Sequence, residues 1–87
     1  MLDKVKYNSK IANNVIKAFK EIHAWNVCHG DVRCENILVR PDHSVVVIDF
    51  ELSVMDADSD SLNAEMTEVK YLLASLKHSV DGASKRI

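Results

Sequence analysis

The sequence predicts an α+β domain, and three observations predict it. Apolar residues recur at helical spacing near the start of the chain and again near its end. Between these stretches stand two β-rich runs, Ile37-Leu38-Val39 and Val45-Val46-Val47-Ile48. The runs are separated by Arg40-Pro41-Asp42-His43-Ser44. Helical period, strand-type residues around turn chemistry, then helical period again describe helices packed on a hairpin.

The first helix is expected over about residues 8–25. Ile11, Val15, Ala18, Phe19 and Ile22 form its apolar stripe, with Lys17, Lys20 and Glu21 between them. Asn8 or Ser9 is its expected cap, because a short polar side chain accepts a hydrogen bond from the first-turn amides. The hairpin turn rests on Pro41-Asp42, where proline fixes φ and aspartate bonds back to nearby amides. With residues 41–44 as the loop, Arg40 faces Val45 and the pairing runs outward until Asn36 faces Asp49. Asn36, Leu38, Val47 and Asp49 then share one face.

The last helix is expected over about residues 60–78, with Leu62, Met66, Val69, Leu72, Leu73 and Leu76 as its stripe. Asp58 and Asp60 at its positive end and Lys77 and His78 at its negative end suit the macrodipole. Gly82 marks the expected exit, followed by a loose tail to Ile87.

Composition narrows the function. Eighty-seven residues make one small domain or a piece of a larger one, and 47% hydrophobic with 28% charged is an ordinary soluble composition. A net charge of −2 gives no electrostatic case for a nucleic-acid partner. Cys28 and Cys34 are too few for a disulfide framework, so a reducing compartment is expected. No run is long and apolar enough for a signal peptide or a bilayer span. The expected location is therefore intracellular, cytoplasmic or nuclear, with no membrane partner.

The stretch His29-Gly30-Asp31-Val32-Arg33-Cys34-Glu35-Asn36 is chemically dense for a surface loop. Oxygen donors from Asn36 and Asp49 suit a hard cation such as Mg²⁺, which takes a few protein ligands and completes its shell with phosphate and water. Asp31 is then left to accept a proton from an attacking hydroxyl, and Arg33 to neutralise charge on the group in flight. Together these describe phosphoryl transfer, where positioning and charge neutralisation carry most of the catalysis. Competing readings fit less well. Cys28, His29, Cys34 and His43 lack the paired spacing of structural zinc sites. Asp56, Asp58 and Asp60 begin like an EF-hand loop, but Ser61 and Thr67 stand where that loop needs Gly and Glu.

"HGDVRCENILV" followed by "VVVIDFE" resembles the catalytic loop and metal-binding segment of the protein-kinase superfamily, H-x-D-x-x-x-x-N…D-F-G. Both spacings match, "IHAWNV" resembles the end of the preceding helix, and the match covers roughly residues 11–51. The resemblance implies Asp31 as catalytic base and Arg33 at the position of a lysine that contacts the γ-phosphate. It implies Asn36 and Asp49 as Mg²⁺ ligands and Leu38 beneath the adenine of ATP. His29 and Phe50 become members of the lobe's internal spine. Gly30 replaces an arginine that in many protein kinases meets an activation-loop phosphate, Glu51 replaces the glycine of D-F-G, and Cys34 takes a common proline position. "HGD" and "IDFE" lean toward aminoglycoside- and choline-kinase-like enzymes and small fungal kinase-like proteins.

The family's glycine-rich loop, V-A-I-K lysine and paired glutamate are missing from these residues. The resemblance therefore implies residues 1–87 as a single partial C-terminal lobe without an N-lobe. It implies ATP-dependent transfer to a hydroxyl acceptor, protein Ser/Thr first and small molecule second, very weak or nil from this chain alone. The second reading is a non-catalytic pseudokinase remnant that docks a protein partner through its apolar helix faces.

Overall fold

The computed structural model describes residues 1–3 and 6–85, with side-chain surroundings through Lys77. Helix α1 spans Ser9–Ala24. Asn8 caps it from extended backbone, its Oδ1 accepting the Ile11 amide at 2.8 Å. The 3.6-residue period puts Ile11, Ala12, Val15 and Phe19 on the buried face. After the helix the chain turns at Asn26 (φ 58°) and runs extended into a single 3₁₀ turn, Cys34–Asn36.

Strands β1 (Ile37–Val39) and β2 (Val45–Val47) form an antiparallel hairpin. Its register is one residue away from the sequence expectation: Ile37 faces Val47, Leu38 faces Val46 and Val39 faces Val45. The turn is the cause. Arg40 pairs with Ser44, its amide donating to the Ser44 carbonyl at 2.9 Å, so the loop is residues 41–43. His43 takes a left-handed conformation (φ 70°), and Asp42 Oδ1 accepts the Ser44 amide at 3.0 Å. A three-residue loop ending in a left-handed residue is a common hairpin connection. Shortening the loop by one residue makes Asn36 the partner of Ile48, whose amide donates to the Asn36 carbonyl at 2.9 Å. The expected pairing of Asn36 with Asp49, and the shared face of Leu38 and Val47, are thereby corrected.

Beyond β2 the chain doubles back. Val54 and Cys28 exchange both backbone hydrogen bonds, at 2.9 and 3.0 Å, and the Ala57 amide donates to the Asn26 carbonyl. Helix α2 then spans Ser59–Lys85, with Asp58 Oδ1 accepting the Ser61 amide at 2.8 Å. It passes through Gly82, correcting the expected exit there. One interior glycine costs a helix about 1 kcal/mol and does not end it. Residues 86–87 of the expected tail lie outside the described residues.

The two helices and the inner face of the hairpin enclose one core of Leu2, Ile11, Ala12, Val15, Phe19, Ile37, Val69 and Leu73. Leu2 joins it from outside both helical stripes and the hairpin, in a stretch that carries Asp3, Lys4 and Lys6. It is fully buried, and its amide donates to the Ile37 carbonyl at 2.7 Å.

Two variants separate core from cap. Phe19→Ala should destabilise by about 3–5 kcal/mol through the cavity it leaves. Asn8→Ala should cost about 1 kcal/mol. Urea denaturation of the three proteins side by side would show whether that order holds.

Candidate active site

His29 fixes the loop. Its ring is fully buried, stacked edge-on between Phe19 and Phe50 at centroid distances of 6.1 and 4.8 Å. Nε2 lies 2.7 Å from the Ile48 carbonyl, which only accepts, so Nε2 carries the hydrogen. Nδ1 is then the acceptor for the Asp31 amide at 3.2 Å. One imidazole thus ties the backbone of Asp31 to the end of the hairpin.

Gly30 has φ 89°, and a Cβ on it would overlap the backbone carbonyl of Leu52. Only glycine fits this conformation and this close approach. The position that carries arginine in many protein kinases here leaves no room for a side chain.

Asp31, Arg33 and Asn36 are joined by hydrogen bonds. Arg33 Nε donates to Asp31 Oδ1 at 2.8 Å. Asn36 Nδ2 donates to Asp31 Oδ2 at 3.0 Å and to the Asp31 carbonyl at 2.9 Å. Asn36 is buried at the end of the 3₁₀ turn, whereas the Arg33 side chain is 59% exposed and also lies 3.9 Å from Glu35. The two Asp31 acceptors settle which end of the Asn36 amide faces the loop. Nδ2 is committed, and Oδ1 is the atom left for a cation.

Asp49 sits one residue past the Asn36–Ile48 pair, exposed, in a left-handed conformation (φ 63°) that interrupts strand alternation. Its Oδ1 takes a 3.4 Å approach from the Glu51 amide, a weak claim on a carboxylate. Its hydrogen bonding does not join it to Asp31 and Asn36. Leu38 is exposed on the outer face of the hairpin, paired with Val46. An amide oxygen and a loosely held carboxylate are hard donors, so the chemistry of Asn36 and Asp49 fits Mg²⁺. Among the described residues no three or more His, Cys, Asp or Glu side chains gather as a metal cage. A magnesium ion held here would complete its shell from phosphate and water.

The residue that sequence reasoning missed is Glu65. It lies on α2, 5% exposed, within the apolar stripe itself, three residues after Leu62 and four before Val69, and a lone acid on that buried face is the signal that could have found it. Its Oε1 accepts the His29 amide, its Oε2 the Gly30 amide, each at 2.8 Å, and His23 Nε2 donates to Oε1 at 2.8 Å. Burial pushes the Glu65 carboxyl pKa up. The Gly30 amide, the His23 ring and the His29 amide pull it down and prevail, leaving it lowered. Both thiols are the opposite case. Burial, reinforced by nearby acids, raises the pKa of Cys28 and Cys34, so neither is an activated nucleophile.

The helix, the acid-bearing loop, the 3₁₀ turn that carries Asn36 and the hairpin after it make a small α+β arrangement compatible with part of a kinase-like C-lobe. Residues 3–79 match the Lipopolysaccharide kinase (Kdo/WaaP) family, and the chain belongs to that family, within the kinase-like superfamily. It is 30% identical, over 67% of its length, to the "Probable serine/threonine-protein kinase fnkE" of Dictyostelium discoideum. It is 32% identical over 62% of its length to "Protein kinase PINOID" of Oryza sativa. It is 39% identical over 51% of its length to a "Bifunctional serine/threonine-protein kinase/NEDD4-like E3 ubiquitin-protein ligase" of Dictyostelium discoideum. The chain spans 5%, 11% and 2% of the lengths of these relatives. No solved structure matches it.

Removing Glu65 tests the loop anchor. Glu65→Ala orphans the buried His29 and Gly30 amides, at about 1–3 kcal/mol each. A lowered folded-state pKa means the stabilisation is present above the unfolded value, about 4.3, and is lost as pH falls through the folded value. Thermal midpoints measured from pH 7 down to pH 3 should fall less steeply in Glu65→Gln than in the wild type.

Proposed function

We propose that this chain carries the catalytic-loop half of a kinase-like phosphotransferase that moves the γ-phosphate of ATP to a hydroxyl. The observation that carries the reading is the Asp31 carboxylate. It is held between Asn36 Nδ2 and Arg33 Nε on a loop whose flanking amides are anchored by Glu65 and His29. A carboxylate fixed on that loop is a general base at a defined position. In this reading Asp31 accepts the proton of the incoming hydroxyl. Arg33, largely in solvent, swings from Asp31 to the transferring phosphoryl group and offsets its charge. Asn36 Oδ1 and Asp49 would hold Mg²⁺, which would supply charge neutralisation to the phosphate groups. Leu38, on the outer face of the hairpin, lies beneath the adenine ring.

Two lines support an acceptor hydroxyl. The relatives' names speak of serine/threonine protein kinases, and the family's name speaks of lipopolysaccharide. We place a protein Ser/Thr hydroxyl first and a saccharide or other small-molecule hydroxyl second.

The measurement is phosphate release and transfer from ATP and Mg²⁺, with casein and with lipopolysaccharide as alternative acceptors. Asp31→Asn should lower any transfer by about 10²–10⁴-fold, the span expected for a general base. ATP with Mg²⁺ should raise the thermal midpoint, and Asp49→Ala should abolish that rise. Transfer unchanged in Asp31→Asn, or a nucleotide shift that ignores Asp49, would remove the basis of the proposal.

A further inference from the structure

The turn end of the hairpin holds a second concentration of chemistry. Lys6, Arg40 and His43 line an open cleft of about 480 Å³, together with Asn8 and the apolar side chains of Ile11, Val39 and Pro41. The three basic side chains come from three separate stretches: the approach to α1, the end of β1 and the hairpin turn. Their backbones are pinned. Asp3 Oδ1 accepts the Lys6 amide at 2.9 Å, Arg40 pairs with Ser44, and Asn14 Nδ2 donates to the His43 carbonyl at 2.8 Å. The turn is thereby moored to the flank of α1.

Each polar side chain on this lining has an N–H to donate. Asn8 has spent its oxygen on the Ile11 amide, which leaves its Nδ2. Lys6 and Arg40 are donors only. Among the described residues, none of Lys6, Arg40 and His43 sits within ion-pair distance of a carboxylate, while Arg33 pairs with Asp31. No acidic residue lines the cleft. The nearest by sequence, Asp42, is turned to Ser44, whose hydrogen bonds are the main cause of its lowered pKa, with the charge of Arg40 a lesser one. In a chain of net charge −2, gathering basic groups without an acid is a local departure. Like charges brought together repel unless an anion offsets them.

We propose that this cleft binds the phosphate group of a small molecule, at a place separate from Asp31 and Asn36. The guanidinium of Arg40 offers a planar fork that matches two phosphate oxygens, and Lys6 supplies a mobile point charge. The imidazole of His43 and the amide of Asn8 add neutral donors around the same space. The cleft volume falls within the range of small-molecule sites. From Asn36 to Arg40 is four residues, about 13 Å of extended strand. One small ligand therefore does not serve both ends of the hairpin. The inference does not depend on the phosphotransfer reading, and either stands if the other fails.

The test is an amide ¹H–¹⁵N titration of the full chain with inorganic phosphate and with glycerol 3-phosphate, at ionic strength held constant with chloride. The expected result is saturable shifts centred on the amides of Arg40, His43 and Lys6. Arg40→Gln, which removes a charge-assisted pair, should weaken them about tenfold or more. Lys6→Gln, outside every helix and strand, provides a second variant, and unchanged shifts for residues 28–36 verify that both variants fold. Asp31→Asn should leave the phosphate titration as in the wild type. Equal shifts from chloride alone, equal affinity for acetate, shifts centred on Asn36 and Asp49, or a response to heparin but not to the monophosphates would each overturn the proposal.

Discussion

The Glu65 carboxylate is the interaction on which the rest of the site depends. It reaches from α2 to the loop and accepts hydrogen bonds from two consecutive backbone amides, His29 and Gly30, with His23 of α1 on the same oxygen as His29. A carboxylate buried without partners would cost several kcal/mol. Here two amides and an imidazole satisfy it, and in doing so it ties α1, α2 and the loop into one object. The loop needs such an anchor. Its own amides point inward, away from any strand partner, and Gly30 adopts a conformation that lacks the restraint of a side chain.

From that anchor the remaining geometry follows in short steps. The His29 amide is held by Glu65, and the His29 ring, packed between Phe19 and Phe50, spans from the Asp31 amide to the Ile48 carbonyl. Asp31 is thereby fixed relative to the hairpin, and Asn36 closes the loop by donating twice to Asp31. The doubled-back segment completes the enclosure. The exchange of hydrogen bonds between Cys28 and Val54 brings Leu52 against Gly30 and excludes any larger residue there. Asp49 is the member least constrained by this arrangement, and it is the one that the phosphotransfer reading asks to meet an ion rather than a protein group.

Where the chain belongs and what it does rest on different grounds. The family match runs over residues 3–79 and so includes α1 and most of α2 as well as the loop and hairpin. The relatives are far longer, and their activities belong to whole proteins. The proposed chemistry therefore stands on the side-chain oxygens and donors themselves. No helix among the described residues is long and apolar enough to cross a membrane.

Much of this was legible in the residues alone. The helical period set α1 almost to the residue, because a face of Ile11, Val15 and Phe19 has only one way to be buried. The resemblance singled out Asp31 and Asn36 by their spacing, and the two are hydrogen-bonded to each other in the structure. Among the described residues, the four non-glycine residues with positive φ are Asn, Asp or His, the types that tolerate that conformation, so the turns too are written locally. What tertiary structure decided is whatever hinges on a single residue of register or on a partner far along the chain. The hairpin loop closes over three residues rather than four, which moved Asp49 out of line with Asn36. Leu2 lies outside any periodic stripe, and Glu65 falls on the buried face of α2, where periodicity marks an acid but does not name its partners. Their roles come from backbone groups of residues 37, 29 and 30, and no local preference reports a hydrogen bond made across 35 positions of sequence.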